Sequence, residues 1–200
     1  FRPHVNCVNI TPDQKYLCAV DLGVDQVKIY KFNDETGKIT LVDMLRCELE
    51  SAPRIIKFSP DGRFAYLICE LKNYISVYSY KDGPRGPVFE LVQTISTLNE
   101  YHSKGSAACV LRFSRDWNYV LCSNAGDNSV GIFKIDRETG MLEKICILPV
   151  SGDYPKAADF FPDNRHIMAL NHESNTMTIF RINYEKKYFS LWGKPLKVET

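Results

Sequence analysis

Four copies of one pattern divide the 200-residue sequence. Each copy holds an apolar run, a turn with an aspartate, a second apolar run, a polar turn and a third apolar run. The turn aspartates are Asp13, Asp61, Asp116 and Asp163. Eight residues after them lie Asp21, Cys69, Asn124 and Asn171, and nine residues further lie Tyr30, Tyr78, Phe133 and Phe180. Because this spacing holds in every copy without a gap, the chain is predicted to repeat one structural unit.

Each copy has the residue pattern of β-strands. The segment 27–30 is typical, with β-branched and aromatic residues alternating with polar ones. Segments 34–37 and 137–140 match each other as hairpin tips, and both place glycine where a type I turn with a bulge needs positive φ. Long stretches with a 3.6-residue apolar period are missing from the sequence, so we expect almost no helix.

Four short antiparallel strands repeated about every 50 residues predict an all-β fold, a β-propeller with four blades of four antiparallel strands in this chain. A β-sandwich is the alternative, but it gives no reason for internal repetition. The predicted blades cover residues 4–48, 52–100, 106–152 and 154–200. Four blades are the low limit for a ring, and an open arc leaves exposed edges. We therefore expect the chain to be part of a larger ring.

Charge and cysteine usage exclude several classes of function. The net charge of +1 argues against nucleic-acid and anionic-membrane partners, and the apolar runs are far shorter than a membrane span. The seven cysteines include no Cys-x-x-Cys pair, so no metal site and no cofactor are predicted. Most of the cysteines sit in apolar runs, as buried free thiols do in a reducing compartment. We expect a cytoplasmic protein.

Several motifs together resemble a known family. They are 4–13, 21–23, 52–54, 59–63, 69–71, Arg112, 123–124, 127–130 and 153–156. The sequence is similar over essentially its whole length to the lactonase-type seven-bladed propellers. That family includes cycloisomerase-like 6-phosphogluconolactonases and fungal carboxymuconate lactonizing enzymes. The resemblance implies a seven-bladed ring, completed by missing N-terminal blades or by another chain. It also implies a small anionic lactone substrate in a pocket at one mouth of the channel.

The resemblance implies which residues act. Arg54 and Arg112 match the family's two arginines, and Glu70 matches its glutamate, so these three are the predicted catalytic residues. The family's histidine falls on Asn6 here, with His4 as the nearest substitute. Both are predicted to bind substrate. The family often continues Pro-Arg-His where this chain has Ile55.

The residue types support an anion site independently of the resemblance. We expect Arg54 and Arg112 on inner strands, where buried arginines need anionic partners, and two such side chains suit a phosphate or carboxylate. Glu70 is suited to orient or deprotonate a water that attacks a lactone carbonyl, while the arginines stabilise the oxyanion. The structural alternative is that Glu70 only neutralises Arg54 as an ion pair.

Three further residues are substrate-binding candidates. Lys156 occupies the position equivalent to Arg54, and His172 occupies the position equivalent to Glu70. His102 lies in the insertion that lengthens one repeat, and loops often carry function. The four turn aspartates are instead predicted to bind nearby backbone N–H groups.

Three functions follow from these residues. The first is a metal-independent lactone hydrolase with 6-phosphogluconolactone as the substrate that the resemblance favours. The second is a non-catalytic propeller that binds a partner or a small anion, favoured by Asn6 in place of the family's histidine. The third is a lactone-forming cycloisomerase of the carboxymuconate type, which needs the same arginines.

Overall fold

A computed structural model describes residues 2–99 and 105–198. The fold is all-β, with four antiparallel sheets in which neighbouring strands follow each other along the chain. Within the described residues, the only helical element is a single 3₁₀ turn at Leu22–Val24. The predicted all-β fold with four antiparallel sheets and the near absence of helix are therefore confirmed.

The strands of each sheet pair in chain order. The first sheet holds β1 (Val5–Ile10), β2 (Tyr16–Asp21), β3 (Gln26–Phe32) and β4 (Ile39–Arg46). The second holds β5 (Pro53–Phe58), β6 (Phe64–Cys69), β7 (Tyr74–Gly83) and β8 (Gly86–Ser96). The third holds β9 (Ala108–Phe113), β10 (Tyr119–Asn124), β11 (Ser129–Ile135) and β12 (Leu142–Pro149). The fourth holds β13 (Pro155–Phe160), β14 (His166–Asn171), β15 (Thr176–Asn183), β16 (Tyr188–Leu191) and β17 (Leu196–Lys197).

The fourth sheet differs from the predicted four-stranded pattern because its last strand is interrupted. β16 pairs with the end of β15, and β17 pairs with its beginning. Gly193, at φ +82°, and Pro195 lie in the gap between them. Proline has no N–H to donate to a strand partner, so it interrupts the ladder at the outer edge of the sheet.

The chain divides into two compact units, Phe1–Ile95 and Ser96–Thr200, and each has its own core. In the first unit, Val20 and Ile29 of the first sheet pack with Ile56 and Leu67 of the second. In the second unit, Ile132 of the third sheet packs in one cluster with Ile167 of the fourth. Alternating apolar side chains on each strand thus bury one face of a sheet against its neighbour in the same unit.

The turn aspartates organise the tight turns between the first and second strands, as predicted. In the second sheet, Asp61 Oδ1 accepts hydrogen bonds from Ser59 Oγ at 2.6 Å and from the Arg63 N–H at 3.1 Å. Burial raises the pKa of Asp61, but these bonds and the Arg63 side chain outweigh burial and lower the pKa to about 2. The aspartates therefore serve the turns.

All seven cysteines are free thiols. Burial raises the pKa of Cys18 and of Cys122 to about 12, so neither supplies a thiolate nucleophile at neutral pH. In the parts of the chain that the structure describes, three or more His, Cys, Asp or Glu side chains nowhere gather into a group suited to a metal ion. No helix in those parts is long and apolar enough to cross a membrane.

Candidate functional site

Six of the eight predicted site residues, all except Arg112 and His102, occupy three positions that recur in every sheet. We name them by their distance from the turn aspartate: the lead residue lies nine before it, the bulge residue seven before it and the end residue nine after it. The lead residues are His4, Ala52, Ala107 and Tyr154. The bulge residues are Asn6, Arg54, Cys109 and Lys156. The end residues are Leu22, Glu70, Ala125 and His172. We call the three positions of one sheet its corner.

A shared backbone geometry brings the three positions of a corner together. The bulge residue is the extra residue of a β-bulge in the first strand of each sheet. The end residue directly follows the second strand, and its N–H donates to the carbonyl of the lead residue at 2.8 to 3.0 Å in all four corners. Because a bulge redirects a side chain out of the ladder, the corner is suited to present functional groups.

The corner of the second sheet joins two of the three predicted catalytic residues. Arg54 Nη1 donates to Glu70 Oε2 in a close ion pair. The arginine side chain is 31% exposed and the glutamate side chain is 21% exposed, so both remain open to solvent or a ligand. The predicted pairing of Arg54 with Glu70 is present, but the arginine is half-buried rather than buried.

A buried carboxylate holds the backbone that leads into this corner. Asp25 follows the second strand of the first sheet and adopts φ +53°. Its two carboxylate oxygens accept from the N–H groups of Glu50 and Ala52, both at 2.8 Å. These bonds fix the chain immediately before Arg54, and Asp25 is itself only 4% exposed.

The corner of the fourth sheet gathers Tyr154, Lys156 and His172. The Lys156 Nζ atom lies 5.7 Å from the centre of the Tyr154 ring, and the rings of Tyr154 and His172 are 6.5 Å apart. Lys156 and His172 are exposed, while Tyr154 is half-buried. Two substrate-binding candidates therefore share one aromatic neighbour.

The side-chain amide of Asn128 holds the backbone that leads into the fourth corner, as the Asp25 carboxylate does for the second. Asn128, at φ +51°, accepts from the Tyr154 N–H through its side-chain oxygen at 2.7 Å. Its side-chain nitrogen donates to Asp153 Oδ1 at 3.2 Å. Asp25 and Asn128 both lie twelve residues after their turn aspartates, so the same position performs the same task in two sheets.

Arg112 lies on β9 and pairs with an acidic residue of the next sheet. Its Nε atom is 3.3 Å from Asp159 Oδ2, and the arginine side chain is 43% exposed. The expectation of a buried arginine is therefore wrong here as well. Arg112 and Asp159 both lie four residues before their turn aspartates, which places them side by side on neighbouring first strands.

The remaining candidates lie at the corner of the first sheet or outside the described residues. His4 and Asn6 are the exposed lead and bulge residues of the first sheet, and the His4 N–H donates to Asp21 Oδ1 at 2.7 Å. The third corner is apolar, with Cys109 and Ala125 in one small cluster. His102 lies outside the described residues.

Three contributors to these corners escaped the sequence reasoning. The local sequence indicates only that Asp25 and Asn128 lie in turns. An Asp or Asn recurs twelve residues after every turn aspartate, and this recurrence is the signal that could have indicated a shared structural role. Tyr154 carried no signal of its own, since the lead positions of the other sheets hold unrelated residues.

The family comparison matches nearly the whole chain. The family model described as lactonase, 7-bladed beta-propeller, matches residues 2–200. Among curated relatives, an uncharacterized protein of Staphylococcus saprophyticus is 30% identical over 181 residues, which is 90% of this chain and 51% of that protein. One from Lactococcus lactis is 34% identical over 177 residues, covering 88% and 51%. The chain thus spans about half the length of the curated relatives it matches.

Solved structures of similar proteins superpose on nearly the whole chain and cover it to 98%. The periplasmic gluconolactonase of Pseudomonas aeruginosa superposes with a TM-score of 0.88 at 27% identity, over 98% of this chain and 55% of that one. A Bacteroides fragilis protein named as a candidate 6-phosphogluconolactonase gives 0.84 at 28% identity, over 98% and 56%. The cytoplasmic location expected from the cysteines stays a prediction.

Proposed function

Because the chain belongs to the lactonase family of seven-bladed β-propellers, we propose that the whole protein hydrolyses a sugar lactone. The observation that carries the proposal is the half-exposed Arg54–Glu70 pair at a bulged strand corner. We take 6-phosphogluconolactone as the first substrate to test. The names of the Pseudomonas aeruginosa and Bacteroides fragilis neighbours support a sugar lactone as the substrate class.

In the proposed reaction, Glu70 acts as the general base. Its carboxylate accepts a proton from a water molecule, and the water oxygen attacks the lactone carbonyl carbon. The carbonyl oxygen becomes an oxyanion, which the Arg54 guanidinium stabilises by a charge-assisted hydrogen bond. The bond between the carbonyl carbon and the ring oxygen then breaks. Glu70 returns its proton to the ring oxygen, which leaves a hydroxy acid and a regenerated carboxylate.

Arg54 has a second task in this scheme, because it holds the carboxylate in place. A glutamate that is tied by one oxygen to an arginine keeps its other oxygen in a fixed direction for a water molecule. Arg112 belongs to the other compact unit and takes no step in this scheme.

Acid release from 6-phosphogluconolactone by the full-length protein tests the proposal. Glu70→Gln should lower kcat by about 10²-fold or more because the amide cannot accept the proton. Arg54→Ala should lower it by a similar factor because the oxyanion loses its cation. Glu48→Gln is the matched control, since it makes the same change in an exposed ion pair of the same unit. A wild-type protein that does not outrun spontaneous hydrolysis contradicts the proposal.

The identity of residue 6 favours a second candidate function, a propeller that binds a small anion without turning it over. Asn6 stands at the bulge position of the first sheet, where the family's histidine is expected. Asn6→His separates the two functions. If the wild type is inactive and the variant hydrolyses the lactone, the scaffold is competent but lacks one group. If both are inactive while 6-phosphogluconate binds, the binding function is correct.

A further inference from the structure

The Tyr154 backbone adopts a conformation that a bulky residue rarely takes. Its φ is +60°, in the left-handed region that favours glycine, asparagine and aspartate. The lead residue of the second sheet, Ala52, has nearly the same φ of +53°, so two of the four corners share a left-handed lead residue. An aromatic side chain at such a position suggests a task for the ring, because a smaller residue would fit the backbone better.

Hydrogen bonds on both sides keep Tyr154 in place. Its N–H donates to Asn128 Oδ1 at 2.7 Å, and its carbonyl accepts from the His172 N–H at 2.9 Å. The preceding N–H, of Asp153, donates to Ser174 Oγ at 2.9 Å. The strained backbone is therefore held by three hydrogen bonds to two neighbouring segments, as expected where strain is retained for function.

The ring links the protein interior to two exposed polar groups. It packs against the small apolar cluster of Cys109, Val110 and Ala125. The Lys156 ammonium lies 5.7 Å from its centre, within the range of a cation–π contact, and the His172 ring is tilted at 54° to it. Tyr154 thus supports a lysine and a histidine whose ends face solvent.

Charge distinguishes this corner from that of the second sheet. There the bulge and end positions hold Arg54 and Glu70, whose charges cancel. Here they hold Lys156 and His172, which bring an ammonium group and no carboxylate. In the adjoining chain, the Asp153 carboxylate is engaged by Asn128, and Glu173 is exposed. Compared by their bulge and end residues alone, the fourth corner is therefore the better of the two for a dianionic group.

We propose that Tyr154, Lys156 and His172 form a subsite for the phosphate monoester of a phosphorylated sugar acid. The proposal rests on the proposed function, because it takes the substrate to be a sugar-acid derivative. The Lys156 ammonium binds phosphate oxygens as a point charge, and His172 donates a ring N–H to the same group. Tyr154 is the positioning residue whose ring holds the ammonium.

Titration of the full-length protein with 6-phosphogluconate, which is not consumed, tests the subsite without requiring turnover. Lys156→Ala should weaken binding about 10-fold, and Lys186→Ala, an exposed lysine in a loop of the same sheet, should leave it unchanged. Tyr154→Gly should weaken binding about fivefold, although glycine suits the backbone, and Tyr154→Phe should recover most of that loss. A thermal melt of each variant confirms that the fold is retained.

Gluconate identifies the group that is bound. It lacks the phosphate, so its affinity should be lower and should not change in Lys156→Ala. Equal losses for gluconate and 6-phosphogluconate would assign the subsite to the carboxylate and overturn the proposal. Unchanged 6-phosphogluconate affinity in both Lys156→Ala and Tyr154→Gly would also overturn it. Binding that depends on Lys156 in a protein without lactonase activity would refute the proposed function and leave the subsite standing.

Discussion

The corners of the second and fourth sheets have one backbone and two chemistries. In both, a left-handed lead residue precedes a bulge residue, and the end residue donates its N–H to the lead carbonyl. In the second, the side chains form an arginine–glutamate pair, whereas in the fourth a lysine and a histidine flank a tyrosine. The comparison shows that the repeat supplies geometry, while three variable positions decide what each corner can bind.

The residues that hold the two corners also differ, and their removal should give the largest effect. Asp25→Ala leaves the buried N–H of Ala52 and the partly buried N–H of Glu50 without their acceptor, which should cost about 2–4 kcal/mol in the free energy of unfolding. Asn128→Ala removes one such acceptor, from Tyr154, and should cost about half as much. Denaturant unfolding of the full-length protein measures both.

Asp25→Asn is the control for that experiment, because Asn128 shows that an amide can occupy the equivalent position. An amide accepts through one oxygen only, so this variant should fall between the wild type and Asp25→Ala. If Asp25→Ala unfolds at the wild-type denaturant concentration, the carboxylate does not hold the corner.

Placing a glutamate at the end position of the fourth corner, as in the second, should remove the difference in charge between the two corners. His172→Glu gives the fourth corner a cation and a carboxylate, like the second, and should weaken 6-phosphogluconate binding by about 10-fold, or about 1.4 kcal/mol. Titration in low salt and again in high salt measures the change. The difference between variant and wild type should shrink with salt, since screening weakens both attraction and repulsion at exposed groups. A salt-independent loss would point to altered packing instead.

The smallest effect concerns the turns at the other end of the strands. Because hydrogen bonds hold the pKa of Asp61 at about 2, its contribution to stability is complete above pH 4 and is lost as the pH falls toward 2. The side chain is 46% exposed, so after solvent screening we expect less than about 1 kcal/mol. Asp61→Asn should flatten the stability curve of the full-length protein between pH 4 and pH 2.

The fourth sheet gives the comparison for this turn. It has Phe161 where the second sheet has Ser59, so Asp163 keeps the bond from the Arg165 N–H but has the His166 ring as its side-chain partner in place of a serine. Ser59→Ala should therefore reduce the acid dependence of the second-sheet turn without an equivalent change at the fourth. An unaltered pH profile in both Asp61→Asn and Ser59→Ala would show that the turn carboxylate contributes nothing measurable.

The fold could be predicted from the sequence because segments with equal spacing form equal structural units. The predicted strand segment 27–30 lies within β3, Gln26–Phe32, and the glycines of the two predicted hairpin tips, Gly37 and Gly140, adopt φ +68° and +73°. The Arg54–Glu70 contact was accessible for the same reason, since both positions are fixed relative to Asp61.

Contacts between neighbouring sheets could not be predicted from the repeat spacing. The Arg112–Asp159 pair depends on how β9 and β13 face each other, and no spacing within one repeat reports that register. The break between β16 and β17 depends on which edge of the sheet Pro195 meets. The role of Tyr154 required the backbone angle and the ring contacts together.

The positions of Asp25 and Asn128 bear on how such repeats can be exchanged between proteins. Each side chain belongs to one sheet and holds the residues that lead into the next, 25 to 27 residues further along the chain. A chimera cut between a holding residue and the sheet that it holds would separate donor from acceptor at every junction. A cut placed just before the holding residue keeps that residue in one piece with the backbone N–H groups it binds. The unit that can be transferred therefore begins inside one sheet, at its holding residue, and not at the first strand of the next sheet.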